Sequence, residues 1–370
     1  MNVTIRGRKQ HFRTVSFDAE HNRVVLIDQK ILPHTFSLVE TEDFKQTALA
    51  IKDMTVRGAG AIGATAAYGF AQGCRAFRGK SLERFEAHAQ KVFDTLAGAR
   101  PTAVDPVNAM KQVRNVMSQG ETVQKKQDLA LLAANLFAEE DVEHCQAIGR
   151  LGAELIHDGM TILTHCNAGW LAFVDVGTAT APFYEAQAQG KKFHVFCDET
   201  RPRSQGAILT AWELAQQGIP HHIIPDNAAG HLMQRGKIQM VITGADRVLA
   251  KTGEAANKIG TFTKAVLAKY HKIPFYIAIP LSTIDWEMES GMDIPIEERN
   301  ENEVLCAWGK LQNGKKTSTG SSCVRVANPT SHALNPGFDV TPPELITGFI
   351  TPKGIFKPKE LARKLKKFRG

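Results

Sequence analysis

A thiol, a carboxyl group and several anion-binding side chains stand in this sequence directly after short apolar runs. Thr161-Ile162-Leu163 leads into Thr164-His165-Cys166-Asn167-Ala168-Gly169. Phe193-His194-Val195-Phe196 leads through Cys197 into Asp198-Glu199-Thr200-Arg201-Pro202-Arg203-Ser204-Gln205-Gly206. Met240-Val241-Ile242 leads into Thr243-Gly244-Ala245-Asp246-Arg247. Open α/β sheets present ligand-binding residues this way, at the carboxyl ends of parallel strands. Cys166 is a candidate catalytic thiol, weighed against the common case of an inert buried cysteine. A thiol titrates at about 8.5 when unperturbed, so a thiolate needs positive surroundings. Cys197 is the fallback thiol. His165 adjoins Cys166, but strand neighbours face opposite ways, so no Cys-His dyad is read. Asp246 is a candidate general acid, because partial burial would raise its pKa. Arg247 reads as an ion-pairing residue.

The anion-binding candidates lie on both sides of these blocks. Gly58-Ala59-Gly60-Ala61-Ile62-Gly63 matches the dinucleotide fingerprint, but the segment before it has helical spacing where that fingerprint needs a strand. What remains is a glycine-rich helix start behind Arg57, which is either a phosphate cradle or a tight helix connection. Asn257-Lys258-Ile259-Gly260-Thr261 reads as a helix opening, with Asn257 as cap and Lys258 as anion clamp. Arg100 precedes a proline turn, and Arg201 and Arg203 add two more guanidinium forks suited to phosphate. Together these groups point to a small phosphorylated substrate. No metal is expected, since His221, His222 and His231 are not spaced as a zinc set.

The 370 residues allow two domains and a sizeable core. Apolar content is 43% with 22% charged residues, ordinary for a globular chain. No apolar run reaches the roughly 20 residues that span a bilayer, so no membrane contact is expected. The first residues carry charge without an apolar stretch, and the six cysteines form no C-x-x-C pair. A cytoplasmic location is expected. Most of the net charge of +7 sits in Lys357–Gly370, which has seven Lys and Arg against one Glu. That tail reads as a solvated terminal helix, and no nucleic-acid partner is expected.

Short strands are expected over residues 10–40, with Arg23–Asp28 and Lys30–Pro33 as a hairpin. From Asp43 to Ile156 the pattern is helical; Leu129, Leu132, Ala133, Leu136 and Phe137 share one face. After Gly159 apolar runs alternate with helix-length stretches at Ala207–Gln217, Ala228–Arg235 and Ile259–His271. The class is therefore α/β: a mostly helical domain with a short β start over 1–150, and a parallel sheet with helices on both faces over 151–370, ending in the basic tail. Residues 308–335, rich in Gly, Ser and Asn, read as a loop or lid.

RGAGAIGATAAYG, ARPTAV, ILTHCNAG, DETRPRSQG, LTAWEL, TGADRV, ANKIGT, PFYIAIPLSTID, IPIEER, NPGFDVTPPELITG and FITPKG occur in that order. Across Ile51 to Gly354 the chain resembles the methylthioribose-1-phosphate isomerase family, which also holds regulatory subunits of a eukaryotic translation-initiation exchange factor. The resemblance implies a Rossmann-like C-terminal domain, a homodimer, no cofactor, and a step of methionine salvage. That step isomerises 5-methylthioribose 1-phosphate to 5-methylthioribulose 1-phosphate. It implies Cys166 and Asp246 as the catalytic pair. It implies Arg57, Gly58, Ala59, Arg100, Gln205, Asn257 and Lys258 as substrate-binding residues. Three places depart from the family pattern: Gly60 replaces a proline, Asp105-Pro106-Val107-Asn108 replaces an Asn-Leu type segment, and Trp170 and Phe173 stand where smaller residues are usual. All three are expected near the sugar's 5-substituent, which leaves 5-deoxyribose 1-phosphate and ribose 1,5-bisphosphate as other substrates. A non-catalytic, sugar-phosphate-sensing subunit is the reading from another class.

Overall fold

The computed structural model describes residues 1–100, 105–310 and 321–368. Pro101, Thr102 and Ala103 of the ARPTAV motif and positions 311–320 of the expected lid lie outside the described residues.

The chain starts with strands β1 (Asn2–Ile5), β2 (Arg8–His11), β3 (Val15–Asp18), β4 (Arg23–Ile27) and β5 (Leu38–Thr41). β4 pairs antiparallel with β3 and with β5. The expected hairpin partner Lys30–Pro33 is instead a turn, closed by Thr35 N–H donating to the Ile31 carbonyl. Helices α1 (Phe44–Lys52), α2 (Ala59–Ala76), α3 (Leu82–Ala97), α4 (Asp105–Met117) and α5 (Val123–Ala153) follow. Asp43 caps α1 by accepting from the amides of Lys45 and Gln46.

Helix α2 is the axis of this half, because its Ala and Gly residues let its neighbours approach. A Cβ at Gly69 would press on Thr47 and Leu96, and one at Gly73 on Val92. Helix α5 buries Ala130, Ala133, Ala134 and Ala138, whereas Leu132 and Leu136 are exposed. The spacing gave the helix correctly, but of its spaced residues Ala133 and Phe137 pack on the core while Leu132 and Leu136 face outward.

The sheet half comprises β6 (Thr161–Thr164), α6 (Ala181–Ala188), β7 (His194–Asp198), α7 (Ala211–Gln217), β8 (His221–Ile224), α8 (Ala228–Gln234) and β9 (Met240–Thr243). Next come β10 (Arg247–Leu249), β11 (Ala255–Lys258), α9 (Thr261–Tyr270), β12 (Phe275–Ala278), β13 (Ile284–Asp285), α10 (Asn302–Leu305), β14 (Cys306–Lys310) and β15 (Ser321–Arg325). The chain closes with β16 (Phe338–Thr341), β17 (Gly348–Thr351), β18 (Gly354–Phe356) and α11 (Leu361–Leu365). The main sheet has the order β18-β17-β12-β9-β6-β7-β8 and is parallel except at its β18 edge. After β6 the chain moves outward to β7 and β8, then returns to the other side of β6 at β9. The crevice between the carboxyl ends of β6 and β9 is thus the topological switch point, where such sheets bind ligands.

β10, β11, β13 and β16 form a second small sheet beside this crevice. Part of the expected lid is instead the hairpin β14–β15. The basic tail is a short helical segment, with Leu361 and Leu365 fully buried.

Two of the departures from the family pattern fit each other. A Cβ at Gly60 would overlap the Phe173 ring and lie 2.6 Å from an Asp141 carboxylate oxygen. Phe173 therefore fills the space that a larger residue at position 60 would need. Gly60→Ala should cost about 1–3 kcal/mol through overpacking. Phe173→Ala introduced with it should restore part of that loss, as read from denaturant midpoints at equal slope.

Candidate active site

The block after β6 is pinned from three directions. Cys166 has a left-handed backbone (φ 65). Its N–H donates to Thr200 Oγ1 at 2.8 Å, and its carbonyl accepts from Thr210 Oγ1 at 2.7 Å. Asn167 Oδ1 accepts from Arg57 Nη1 at 2.6 Å, and its carbonyl accepts from Arg57 Nη2 at 3.0 Å. The Asn167 amide nitrogen donates to Glu213 Oε1 at 2.9 Å. Glu213, fully buried on α7, also accepts the amides of Trp170 and Leu171 and the Tyr184 hydroxyl. His165 turns away, with Nδ1 2.9 Å from Asp198 and Nε2 2.9 Å from the Ile259 carbonyl. That is the opposed orientation strand alternation requires.

Asp246 enters the same crevice from the end of β9. It lines one cavity with Cys166, Arg57, Gly58, Ala59, Arg100, Gln205 and Lys258. Its side chain is open to the cavity although protein encloses the site, and that enclosure raises its pKa; Lys258, Arg57 and Arg100 pull the other way. Burial likewise pushes the Cys166 thiol up, against the pull of Arg57 and Lys258. The thiol therefore keeps its proton more tightly than a free cysteine. Lys258 is drawn below its ordinary value by burial, an effect offset by Cys166 and Asp246. Its ammonium donates to the Gly337 carbonyl at 2.9 Å and sits 4.9 Å from the Phe338 ring centre.

Several expected roles need correction. Asn257 and Lys258 lie on strand β11, not on a helix start, and α9 begins at Thr261 behind Gly260. Asp339 takes that helix's free amides, accepting from Gly260 and Phe262. The Asn257 amide donates to Thr261 Oγ1, and Asn257 is not among the described cavity-lining residues. Arg201 donates to the main-chain carbonyls of Pro202, Val304 and Cys306, so it holds a loop and not a ligand. Arg203 lines the cavity with its guanidinium 3.1 Å from Glu303. Trp170 stacks on Trp212 and Phe173 packs on α2; neither lines the cavity. Of the departures, only the Asp105 segment reaches the site.

Gln205 brings a polar side chain to the cavity. It is buried in the wall, and its Oε1 has no hydrogen-bond partner among the described residues. Met54, Ile62, Ile294, Pro295 and Phe338 supply the apolar part of the cavity wall, with Phe338 beside Lys258. Glu213 was missed by the residue-level reading, though a glutamate inside the apolar LTAWEL segment is itself a signal of a paired buried carboxylate. His165, Asp198 and Asp226 come close enough to share a metal. There, however, Lys264 Nζ already lies 3.3 Å from Asp198, and Asp226 accepts the amides of Thr200 and Arg201.

Such a cavity, at a switch point and lined by cations, a thiol and a carboxyl group, marks a sugar-phosphate type of site on a Rossmann-like sheet. The chain matches the Initiation factor 2 subunit family over residues 55–358, and it belongs to that family. It is 45% identical over 363 residues to a methylthioribose-1-phosphate isomerase of Brucella anthropi, covering 95% of both chains. A 5-methylthioribose 1-phosphate isomerase from Pyrococcus horikoshii OT3 superposes with a TM-score of 0.84 at 39% identity, over 97% of this chain and 96% of that one. The translation initiation factor eIF-2B subunit delta of A. fulgidus gives 0.82, also at 39% identity, over 96% and 100%.

Removing Glu213 tests the scaffold. Glu213→Ala strands the amides of Trp170 and Leu171 and the Asn167 side chain, each at about 1–3 kcal/mol. A loss of at least 3 kcal/mol in urea unfolding is expected, with a smaller loss for Glu213→Gln, which keeps two acceptor lone pairs.

Proposed function

We propose that this chain is an aldose–ketose isomerase that converts 5-methylthioribose 1-phosphate to 5-methylthioribulose 1-phosphate. The observation that carries this reading is the single cavity that joins Cys166 and Asp246 to Arg57, Arg100 and Lys258 and has an apolar part to its wall. The names of the relatives support the same substrate.

The substrate sets the chemical problem. A phosphoryl group on the anomeric oxygen prevents the ring from opening as a free sugar does. Arg57, Lys258, Arg100 and the backbone at Gly58 and Ala59 hold the dianion, and Gln205 offers its unpaired oxygen to a sugar hydroxyl. Asp246 protonates the ring oxygen as the ring opens. Cys166, as thiolate, removes the C2 proton to give the C1–C2 enol; the Cys166 thiol returns a proton to C1 while the 2-hydroxyl gives its proton to the Asp246 carboxylate, which leaves the C2 ketone and restores both groups. The working pair is thus a thiolate and a carboxylic acid. Moving the Cys166 proton onto the Asp246 carboxylate reaches that pair with no change in total charge; Arg57 and Lys258 stabilise the thiolate and the carboxylate alike. The apolar wall receives the methylthio end.

The sequence's likeness to a dimeric, cytoplasmic enzyme family supports a homodimer in that compartment as the active form. The likeness to an initiation-factor subunit supports a second reading, sugar-phosphate binding without conversion, and a turnover assay separates the two.

Cys166→Ser and Asp246→Asn should each lower kcat at least about 100-fold with little change in substrate binding. Wild-type rates in either variant remove the assignment. Turnover in deuterated water should place deuterium at C1 of the product; its absence, checked at low conversion, favours a hydride shift. Among substrates, kcat/KM should rank methylthio- and 5-deoxyribose 1-phosphate far above ribose 1,5-bisphosphate, whose second dianion would face the apolar wall. Equal rates for the bisphosphate would place that wall elsewhere.

A further inference from the structure

His165 stands next to the thiol in sequence but does not line the cavity. Its ring is 1% exposed and bridges two parts of the fold. Nδ1 lies 2.9 Å from the Asp198 carboxylate at the end of β7, and Nε2 lies 2.9 Å from the Ile259 carbonyl just after β11. Both oxygens only accept, so the ring donates from both nitrogens. The charged groups around it are Asp198, Asp226, Asp339 and Lys264, whose ammonium is 3.3 Å from the Asp198 carboxylate. The fit at Ile259 is tight. A Cβ on Gly260 would lie 3.0 Å from Cε1 and 3.1 Å from Nε2 of the ring, and Gly260 has a left-handed backbone (φ 101) that favours glycine. The Ile259 N–H donates at 3.2 Å to the Gly337 carbonyl, which also takes the Lys258 ammonium at 2.9 Å. The residue before Cys166 is thus bonded to the residue after Lys258.

We propose that His165 is a positioning residue for the isomerisation: its ring fixes the main chain of Cys166 against that of Lys258, and so sets where thiol and ammonium stand on the bound sugar phosphate. The inference rests on the isomerase reading. In that reading Lys258 holds the phosphoryl group and Cys166 works at C2, so the span between their main chains sets how close the sulfur comes to its proton. Arg57 holds Asn167 on one flank of the thiol. His165 supplies the hold toward Lys258 on the other. Displacing a reacting group by about 1 Å can cost about 100-fold in rate. Of the two ring contacts, the one to Ile259 carries this role. The one to Asp198 carries stability, because a hydrogen bond to an ionised carboxylate is the stronger.

Two amide substitutions separate the contacts. In His165→Asn the side-chain nitrogen takes the place of Nδ1 and keeps a donor for Asp198. In His165→Gln it takes the place of Nε2 and keeps a donor for Ile259. The test measures kcat and KM for methylthioribose 1-phosphate, and the melting temperature, in wild type and both variants. His165→Asn should run at least about tenfold slower than wild type with KM within about threefold, and His165→Gln should be the faster of the two. The melting temperatures should run the other way, with His165→Asn the more stable. A purely structural role would rank activity and stability alike. The same order in kcat and melting temperature, an uncooperative melt being counted as the lowest, therefore overturns the proposal. So does a smaller loss of kcat in His165→Asn, a rise in its KM in place of that loss, or a His165→Gln that does not melt cooperatively. A wild-type protein without turnover overturns the isomerase reading, and this inference with it; normal wild-type turnover with any of those results overturns this inference alone.

Discussion

The buried carboxylate of Glu213 is the contact on which the reactive loop depends. It receives the Trp170 and Leu171 amides, the Asn167 side chain and the Tyr184 hydroxyl. Residues 165–172 leave the sheet and yet are largely buried, so their polar groups lack both ladder partners and bulk water. Left unmade, each such bond would cost about 1–3 kcal/mol. Glu213 also decides an orientation. By drawing the Asn167 nitrogen inward it turns Oδ1 outward to Arg57, the residue that precedes α2. One carboxylate thereby fixes the thiol loop and the first cation of the helical half against each other. Gly169 shows how tight the fit is, because any Cβ there would overlap the carboxylate.

The second constraint is electrostatic. Arg57, Arg100 and Lys258 converge on an enclosed cavity, where desolvation lowers the pKa of both Arg100 and Lys258. Buried cations persist only when paired. Protein partners answer part of the need: Glu297 lies 3.7 Å from Arg100, and Asn167 holds Arg57. In the proposed function a dianionic phosphoryl group would supply the rest. The same burial raises the proton affinity of Cys166 and Asp246, which places acid and base in competition for one proton.

The periodicity of the sequence made much of this legible. Strand–helix alternation after Gly159 located the parallel sheet, and polar residues after apolar runs located Cys166 and Asp246 on its carboxyl edge. What failed depended on partners distant in sequence. Asn257 and Lys258 look like a helix opening because Gly260-Thr261 follows; they form a strand because β16 offers them a ladder, and Asp339 on that strand takes the capping role. Arg201 looks like an anion receptor by residue type, but the carbonyls that engage it come from about a hundred positions away. Leu132 and Leu136 obey helical spacing, yet they stay exposed while Ala130, Ala133, Ala134 and Ala138 are buried. Phe173 looked like a substrate neighbour until Gly60 explained it.

One fold serves both isomerases and initiation-factor subunits among the structural relatives, so architecture by itself assigns no activity. The distinction has to lie in the cavity. A sensor needs only the phosphate cradle, and Arg57, the Gly58 helix start and Lys258 would suffice for it. Conversion needs two groups that exchange protons across the same sugar, held where water does not level their affinities. This chain keeps Cys166 on a left-handed backbone, a conformation unusual for a residue with a side chain and sustained here by hydrogen bonds at both its amide and its carbonyl. In the proposed reaction that posture would aim the sulfur at a carbon-bound proton.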